Sequence, residues 1–302
     1  DLMSLNQTLE NLTGKILNGI SDLVKDIQPD IVFVQGDTTT TFAASLAAFY
    51  QKIPVAHIEA GLRTKNRYSP FPEEINRRMT SAIASYHFPP TKQAAQNLLN
   101  EGVEKENIEI TGNTVIDALL SVSEKLDTEH SKYETYFSSG YNIDIAAKQI
   151  ILVTGHRRES FGHGFENICF AIKQIAESND VQIIYPVHLN PNVQEPVNRI
   201  LGGVDNVYLI PPQDYVPFVY LMKKAHIILT DSGGIQEECA TIGVPTVVCR
   251  KVTERKEAEI IGIAKISSSN NEDIIELLKW AKNKKIKKWF KRPYGNGNSG
   301  KK

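Results

Sequence analysis

Leu9, Leu12, Ile16, Ile20, Leu23, Val24 and Ile27 recur at three- and four-residue steps, the period of a helix with one apolar face. Pro29-Asp30 ends that pattern, and Ile31-Val32-Phe33-Val34 is a short run without a polar residue, the composition of a central parallel strand. Gly36-Asp37 turns the run into a predicted helix from Thr38 to Tyr50, and Ile53 to Ile58 is the next strand. After a polar, proline-containing loop from Arg63 to Pro72, Glu73 to Tyr86 predicts a helix and Tyr86-His87-Phe88 a short strand. Thr91 starts another helix with its body at Gln93 to Leu99, and Ile108-Glu109-Ile110 reads as a strand. From Ser123 to Lys148 the pattern is polar and irregular.

A second alternation begins with Gln149 to Val153. It continues through a helix around Ile168–Ile175, strands at Val181–Tyr185 and Val207–Leu209, and a helix from Tyr215 to Lys224. Ile227-Ile228-Leu229 and Pro245 to Cys249 are further strands, joined by a helix that starts at Ser232-Gly233-Gly234. Strands and helices alternating at this spacing predict α/β architecture with parallel sheets covered on both faces. DIVFVQGDTTT…IPVAHIEAG and HIILTDSGG…VPTVVCRKVTER share one order of strand, small polar turn, helix, proline-led strand and charged loop. The expectation is two Rossmann-like domains facing one another across a cleft. The boundary falls near a candidate hinge at Thr111-Gly112-Asn113, giving domains over 1–111 and 112–302.

Composition narrows the class of partner. The 302 residues are 41% hydrophobic and 23% charged, as in a soluble globular protein, and the formal charge of −1 offers no positive surplus for nucleic acid. No apolar run approaches the roughly 18 residues of a membrane span. Cys169, Cys239 and Cys249 are odd in number, far apart and set among apolar residues, which predicts buried thiols in a reducing cytoplasm. The lysines at 282, 284, 285, 287 and 288 read as a solvated helix face. The chain begins at Asp1 with no signal-peptide pattern and reads as a fragment or a processed piece.

The candidate chemistry lies at the predicted strand ends, where ligands bind in such sheets. Asp37, Glu59 and Glu73 would share one edge, and carboxylates crowded together there suit acid–base work. Asp37 also suits a helix cap and Glu73 a first-turn dipole partner, whereas Glu59, beside Ala60-Gly61, caps nothing obvious. Gly155-His156-Arg157-Arg158 follows a buried strand, and a guanidinium fork there suits a diphosphate or a carboxylate partner. His188 reads as structural or peripheral. Ser232, Gly233 and Gly234 form a turn at a helix start, where backbone N–H groups receive an anion. Glu238, one helical turn past Gly234, suits a sugar diol. Gln213 and Phe218 offer an amide and a ring for a flat base, and Arg255 adds a cation opposite the glycine turn. Neither a P-loop, a dinucleotide glycine motif, zinc-ligand spacing nor a nucleophile elbow occurs.

GDTTTT (Gly36–Thr41), HIEAGLRT (His57–Thr64), SPFPEEINR (Ser69–Arg77) and TGNTVIDAL (Thr111–Leu119) are followed by TGHRRESFG (Thr154–Gly162), PVHLNPNV (Pro186–Val193) and TDSGGIQEE (Thr230–Glu238). Together, from about Leu5 to Gly297, they resemble the non-hydrolysing UDP-N-acetylglucosamine 2-epimerases. The resemblance implies a glycosyltransferase-B type fold, a cytoplasmic homodimer, a UDP-N-acetylhexosamine substrate and no metal or other cofactor. It implies anti elimination of UDP to a 2-acetamidoglucal and re-addition with the C2 proton returned to the other face. By motif, Asp37, Glu59 and Glu73 would be the acid–base carboxylates and His156 would assist departure of UDP. Gln213 and Phe218 would hold uracil, Ser232 and Gly234 the diphosphate, Glu238 the ribose, and Arg255 the substrate's charged end.

His57-Ile58-Glu59-Ala60-Gly61 stands where hydrolysing relatives carry a His-x-His-Gly-Gly type sequence, which points to the non-hydrolysing branch. Three features depart from the family pattern. Two βα units of about 30 residues each are expected before Asp1, the end at YGNGNSGKK precedes an expected final helix, and Lys256 replaces a proline. A truncated amino-terminal domain would leave an exposed sheet edge and an incomplete pocket. The alternatives to the epimerase are a glycosyltransferase of the same fold and a non-catalytic nucleotide-sugar-binding remnant.

Overall fold

The structure is a computed structural model that describes residues 7–155, 163–177, 180–250, 252–267, 270–284 and 292–302. It divides into two compact units, Asp1–Thr114 with Tyr294–Lys302, and Val115–Pro293. The carboxy-terminal segment joins the first unit, where the Tyr294 carbonyl accepts a 2.7 Å hydrogen bond from the Asn113 amide.

The first unit runs α1 (Leu9–Ile27), β1 (Val32–Gln35), α2 (Thr39–Tyr50), β2 (Val55–Ile58), α3 (Glu73–Ile83), β3 (Tyr86–Phe88) and α4 (Lys92–Asn100). The strands form a parallel sheet in the order β1-β2-β3. Thr8, Thr38 and Thr91 cap α1, α2 and α4 through their side-chain oxygens, each meeting a backbone N–H that the helix cannot satisfy. Ala43, Ala44, Ala47 and Ala48 make a buried face of α2 small enough for close packing on α1 and the sheet. The helix expected to reach Tyr86 stops at Ile83, releasing Tyr86 to start β3. Ile108–Ile110 forms no ladder; Ile108 makes a single bridge to His87 after a 3₁₀ turn at Lys105–Asn107.

The second unit opens with α5 (Thr114–Thr128) and α6 (His130–Tyr141). Then follow β4 (Gln149–Thr154), α7 (His163–Ala176), β5 (Val181–Pro186), α8 (Pro191–Leu201), β6 (Val207–Ile210) and α9 (Tyr215–Lys224). The unit continues with β7 (Ile227–Thr230), α10 (Gly233–Ile242), β8 (Thr246–Val248), α11 (Glu257–Ile260), β9 (Ala264–Ile266) and α12 (Asn271–Lys282). All six strands are parallel, in the order β6-β5-β4-β7-β8-β9. Alternate residues of β4 feed two cores, Ile151 and Val153 into one and Ile150 and Leu152 into the other, so both sheet faces are covered.

Helices α5 and α6 correct the reading of 123–148 as irregular. From Leu119 onward their buried positions, Leu119, Leu126, Tyr133 and Phe137, fall at steps of seven, seven and four. One apolar residue per two turns is too sparse to stand out among polar neighbours, and the stripe is broken at Glu129 between the helices. Helix α8 and strand β9 also escaped the pattern, the first because its face is built on Val193, Pro196, Val197 and Ile200 around an internal proline. The lysines at 285, 287 and 288 lie outside the described residues, while Lys282 pairs with Asp180.

Phe137 is fully buried and its ring stacks on Tyr220 at 5.9 Å with an interplanar angle of 12°. Phe137→Ala is expected to lower the unfolding free energy by about 3–5 kcal/mol. Urea denaturation measures this, and a loss below about 1 kcal/mol would contradict packing of α6 into the core.

Candidate active site

In the first unit, parallel pairing carries the chain from the ends of β1 and β2 onto one edge. Gln35 lies opposite Ile58, and the Gly36 amide donates to the Ile58 carbonyl at 3.0 Å. Gly36 turns there with φ +75°, a conformation that glycine adopts without steric cost. Its carbonyl accepts a 2.8 Å bond from His57 Nε2, and because a carbonyl only accepts, the His57 proton sits on Nε2. Asp37 follows directly. Glu59, the residue after β2, sits at φ +65°, a region in which a non-glycine residue is strained by roughly 1–3 kcal/mol. Its Oε2 lies 3.6 Å from where a Cβ on Gly36 would be, which brings the Glu59 carboxylate beside the Gly36-Asp37 turn.

Glu73 reaches the same neighbourhood on α3. Asn76 donates to the Asp37 carbonyl at 3.1 Å, and Arg77 pairs with the Asp37 carboxylate. Glu73, three and four residues earlier, shares their helix face. Its Oε2 is buried and accepts no hydrogen bond. Glu59 therefore lies beside the Gly36-Asp37 turn, and Glu73 starts the helix whose Asn76 and Arg77 hold Asp37. Asp37 is not the side-chain cap of α2, since Thr38 fills that role.

The first turn of α3 gives two adjacent glutamates different surroundings. Glu74 is 1% exposed and accepts from the Thr64 and Lys65 amides at 3.0 and 3.1 Å and from Arg77 at 3.3 Å. It ties down the loop before α3, while Glu73 Oε2 is buried without such a partner. Arg77 and Asn76 were missed as site residues; their only sequence signal was a place within SPFPEEINR, three and four positions after Glu73.

In the second unit, the strand order reverses beside β4. The chain steps from β4 to β5 to β6 on one side, then β7, β8 and β9 continue on the other. The carboxyl ends of β4 and β7 thus flank a switch point, where ligands bind in open α/β sheets. Gly155 follows β4, and Asp231, Ser232, Gly233 and Gly234 follow β7. His156 and Arg157 lie outside the described residues.

Helix α10 begins at that point with no side-chain hydrogen bond from its N-cap, Ser232. The two glycines of the turn differ. A Cβ on Gly233 would lie 2.8 Å from Arg255 Cζ, so Gly233 makes room for the guanidinium. A Cβ on Gly234 would meet nothing within 4 Å, so this is the position where a ligand can approach the backbone. Arg255 is buried and already engaged, with Nε 2.5 Å from Glu237 Oε1 and Nη1 on Glu254. It braces the turn from beneath rather than standing as a lone cation.

Glu238, 5% exposed, accepts a 2.7 Å bond from the Tyr215 hydroxyl. Burial raises its pKa and the Tyr215 bond lowers it. Gln213, just before α9, is held by Tyr136, Tyr141 and the Pro211 carbonyl, and Phe218 lies half-buried against the core one turn into the helix. Ser232, Gly233, Gly234 and Glu238 share one helix start, and Gln213 and Phe218 join them through the Tyr215–Glu238 contact.

The model of the family described as UDP-N-acetylglucosamine 2-epimerase matches residues 1–302. The chain is 52% identical over 304 residues to the UDP-N-acetylglucosamine 2-epimerase of Salmonella typhimurium, covering 99% of this chain and 81% of that protein. It is similar to the crystal structure of UDP-GlcNAc 2-epimerase from Neisseria meningitidis bound to UDP-GlcNAc, with a TM-score of 0.92 and 48% identity, covering 99% of this chain and 81% of that one. A Methanocaldococcus jannaschii UDP-GlcNAc 2-epimerase in complex with UDP-GlcNAc and UDP aligns with a TM-score of 0.85 and 36% identity, covering 99% and 81%.

The buried imidazole at the carboxylate edge gives a pH signature. Burial, the largest cause, lowers the His57 pKa from 6.5 to about 4, against the raising effect of the Gly36 bond. Between those values the unfolded chain takes up a proton that the folded chain does not. Stability is therefore full above about pH 6.5 and is lost as pH falls toward 4, by on the order of 3 kcal/mol from this group. His87, also lowered by burial, adds to the total, so a variant isolates the His57 share. Urea unfolding of wild type and His57→Gln at pH 7.5, 6.0 and 4.5 should show the gap between them closing as pH falls. A constant gap would mean that His57 is not buried neutral.

Proposed function

The chain belongs to the UDP-N-acetylglucosamine 2-epimerase family, and we propose that it interconverts UDP-GlcNAc and UDP-ManNAc without hydrolysing them. The observation that carries the binding half is the strand reversal between β4 and β7, with the open backbone of Gly234 at its carboxyl end. An unsatisfied helix start there suits the diphosphate. Gln213 and Phe218 would take the uracil, Glu238 the ribose, and Ser232 and Gly234 the phosphates. Arg255 would act by shaping that turn. His156 and Arg157 would complete the diphosphate contacts and help UDP leave.

The proton chemistry falls to Asp37, Glu59 and Glu73. Inversion at C2 needs one group to remove the proton from one face of the ring and another to return it to the opposite face. No carbonyl acidifies that proton, so cleavage of the C1–O bond, with charge moving onto UDP, must lead. The C2–H electrons form the C1–C2 double bond of a 2-acetamidoglucal as UDP departs. Re-addition of UDP at C1 and protonation at C2 from the other face complete the change. Glu59 beside the Gly36-Asp37 turn, with Glu73 on the helix that holds Asp37, supports this reading; one isolated carboxylate would not provide two faces. The names of the relatives favour the epimerase over a glycosyltransferase.

We also read the protein as a cytoplasmic homodimer. Its three cysteines are free and buried, and among the described residues no helix is long and apolar enough to cross a membrane. Light scattering during size-exclusion chromatography tests the dimer.

Incubation with UDP-GlcNAc in D₂O, followed by proton NMR, should yield UDP-ManNAc carrying deuterium at C2. Release of UDP and free sugar would indicate hydrolysis, and binding without turnover would indicate a non-catalytic protein. Glu59→Gln and Asp37→Asn are expected to lower kcat by about 10²–10⁴-fold while UDP affinity stays within about threefold. A parallel loss of UDP affinity would remove them from proton transfer.

A further inference from the structure

Tyr215 is the first residue of α9, and Glu238 lies in the second turn of α10. The Tyr215 hydroxyl donates to Glu238 Oε1 at 2.7 Å. Among the described residues no group donates to the other carboxylate oxygen, Oε2. One oxygen is thus spoken for and its twin is open, on a side chain only 5% exposed. Phe218 stands one turn along α9 from Tyr215, on the same helix face.

This arrangement has a chemical use. A carboxylate free at both oxygens can rotate and offer either edge, whereas one pinned at Oε1 presents Oε2 in a fixed direction. That oxygen keeps two lone pairs, enough to accept from two neighbouring hydroxyl groups. Burial works against the ionised form of Glu238, and the phenol bond offsets part of that cost. The phenol itself stays a donor, because burial first, and then the Glu238 charge, push its pKa up.

We propose that Tyr215 is a positioning residue that pins Glu238 by one oxygen, so that the other reads the ribose 2′- and 3′-hydroxyls and the pair separates ribonucleotides from deoxyribonucleotides. This rests on the assignment of Glu238 to the ribose made above. Tyr215 touches no part of the reacting sugar in this scheme, and its effect reaches the ligand only through Glu238.

The test is calorimetric titration of the full chain with UDP and with 2′-deoxy-UDP, for wild type, Tyr215→Phe and Glu238→Gln. Wild type is expected to prefer UDP by about tenfold or more, the effect of a hydrogen bond to a charged group. Tyr215→Phe should cut that preference to about threefold or less, mainly through weaker UDP binding. A residue that merely supports the fold would weaken both nucleotides equally and leave the ratio unchanged. Without the phenol bond, the pH at which the preference fades should also move upward. If Glu238→Gln abolishes the preference while Tyr215→Phe keeps the wild-type ratio, the ribose assignment stands and the positioning role is overturned. If Glu238→Gln leaves the preference intact, the ribose assignment and the proposal fall together. Circular dichroism melting of Tyr215→Phe establishes that the variant is folded, so an unchanged ratio counts against the proposal.

Discussion

Parallel pairing of β4 with β7, from Ile151 opposite Ile227 to Thr154 opposite Thr230, is the constraint on which the second unit's site depends. Two parallel strands in register end together, so the residues that follow them emerge side by side. The hydroxyls of Thr154 and Thr230 meet at 2.6 Å at that shared end, and the Asp231 amide donates back to the Thr154 carbonyl at 3.2 Å. With β5 and β6 on one side and β8 and β9 on the other, the shared end of β4 and β7 is a switch point in the strand order, and Gly234 beside it has nothing within 4 Å of its Cβ position.

Both units use the same second device, a buried arginine shared between carboxylates. Arg77 joins Asp37 to Glu74 in the first unit, and Arg255 joins Glu237 to Glu254 in the second. Burying ions costs several kcal/mol each unless partners and hydrogen bonds compensate, and removing one partner from such a set typically costs about 3–5 kcal/mol. These arginines lie beneath a turn that carries candidate chemistry. Arg77 orients Asp37 while Glu74 anchors the loop before α3; Arg255 packs under Gly233 so that Gly234 stays open.

The strained backbone at Glu59 fits the same scheme. A left-handed glutamate survives because its amide is held by the Phe88 carbonyl at 3.1 Å and the neighbouring turn is held by His57. The strain sits at a residue that caps no helix.

Local pattern alone determined much of this protein. Helix α1 follows its three- and four-residue apolar steps, strands β1, β4 and β7 follow uninterrupted apolar runs, and the threonine caps fall where the helices start. Glu59 and the glycine turn stood out because an acidic residue or paired glycines directly after a buried strand have few structural reasons to be there, whereas Glu73 starts a helix after a loop. What pattern could not supply were interactions whose partners lie far apart in the chain. Helices α5 and α6 show a helical face only once Tyr220 and the β4 core are present to bury Leu126, Tyr133 and Phe137. Arg255 looked like a free cation because Glu237, 18 positions earlier, reaches it only in three dimensions, and Glu73 and Glu74 looked alike until the loop at Thr64 claimed the second. Residue type and order determine which groups exist and which strand end they follow. Only the tertiary structure decides which charges are spent on one another and which oxygens, such as Oε2 of Glu238, are left open.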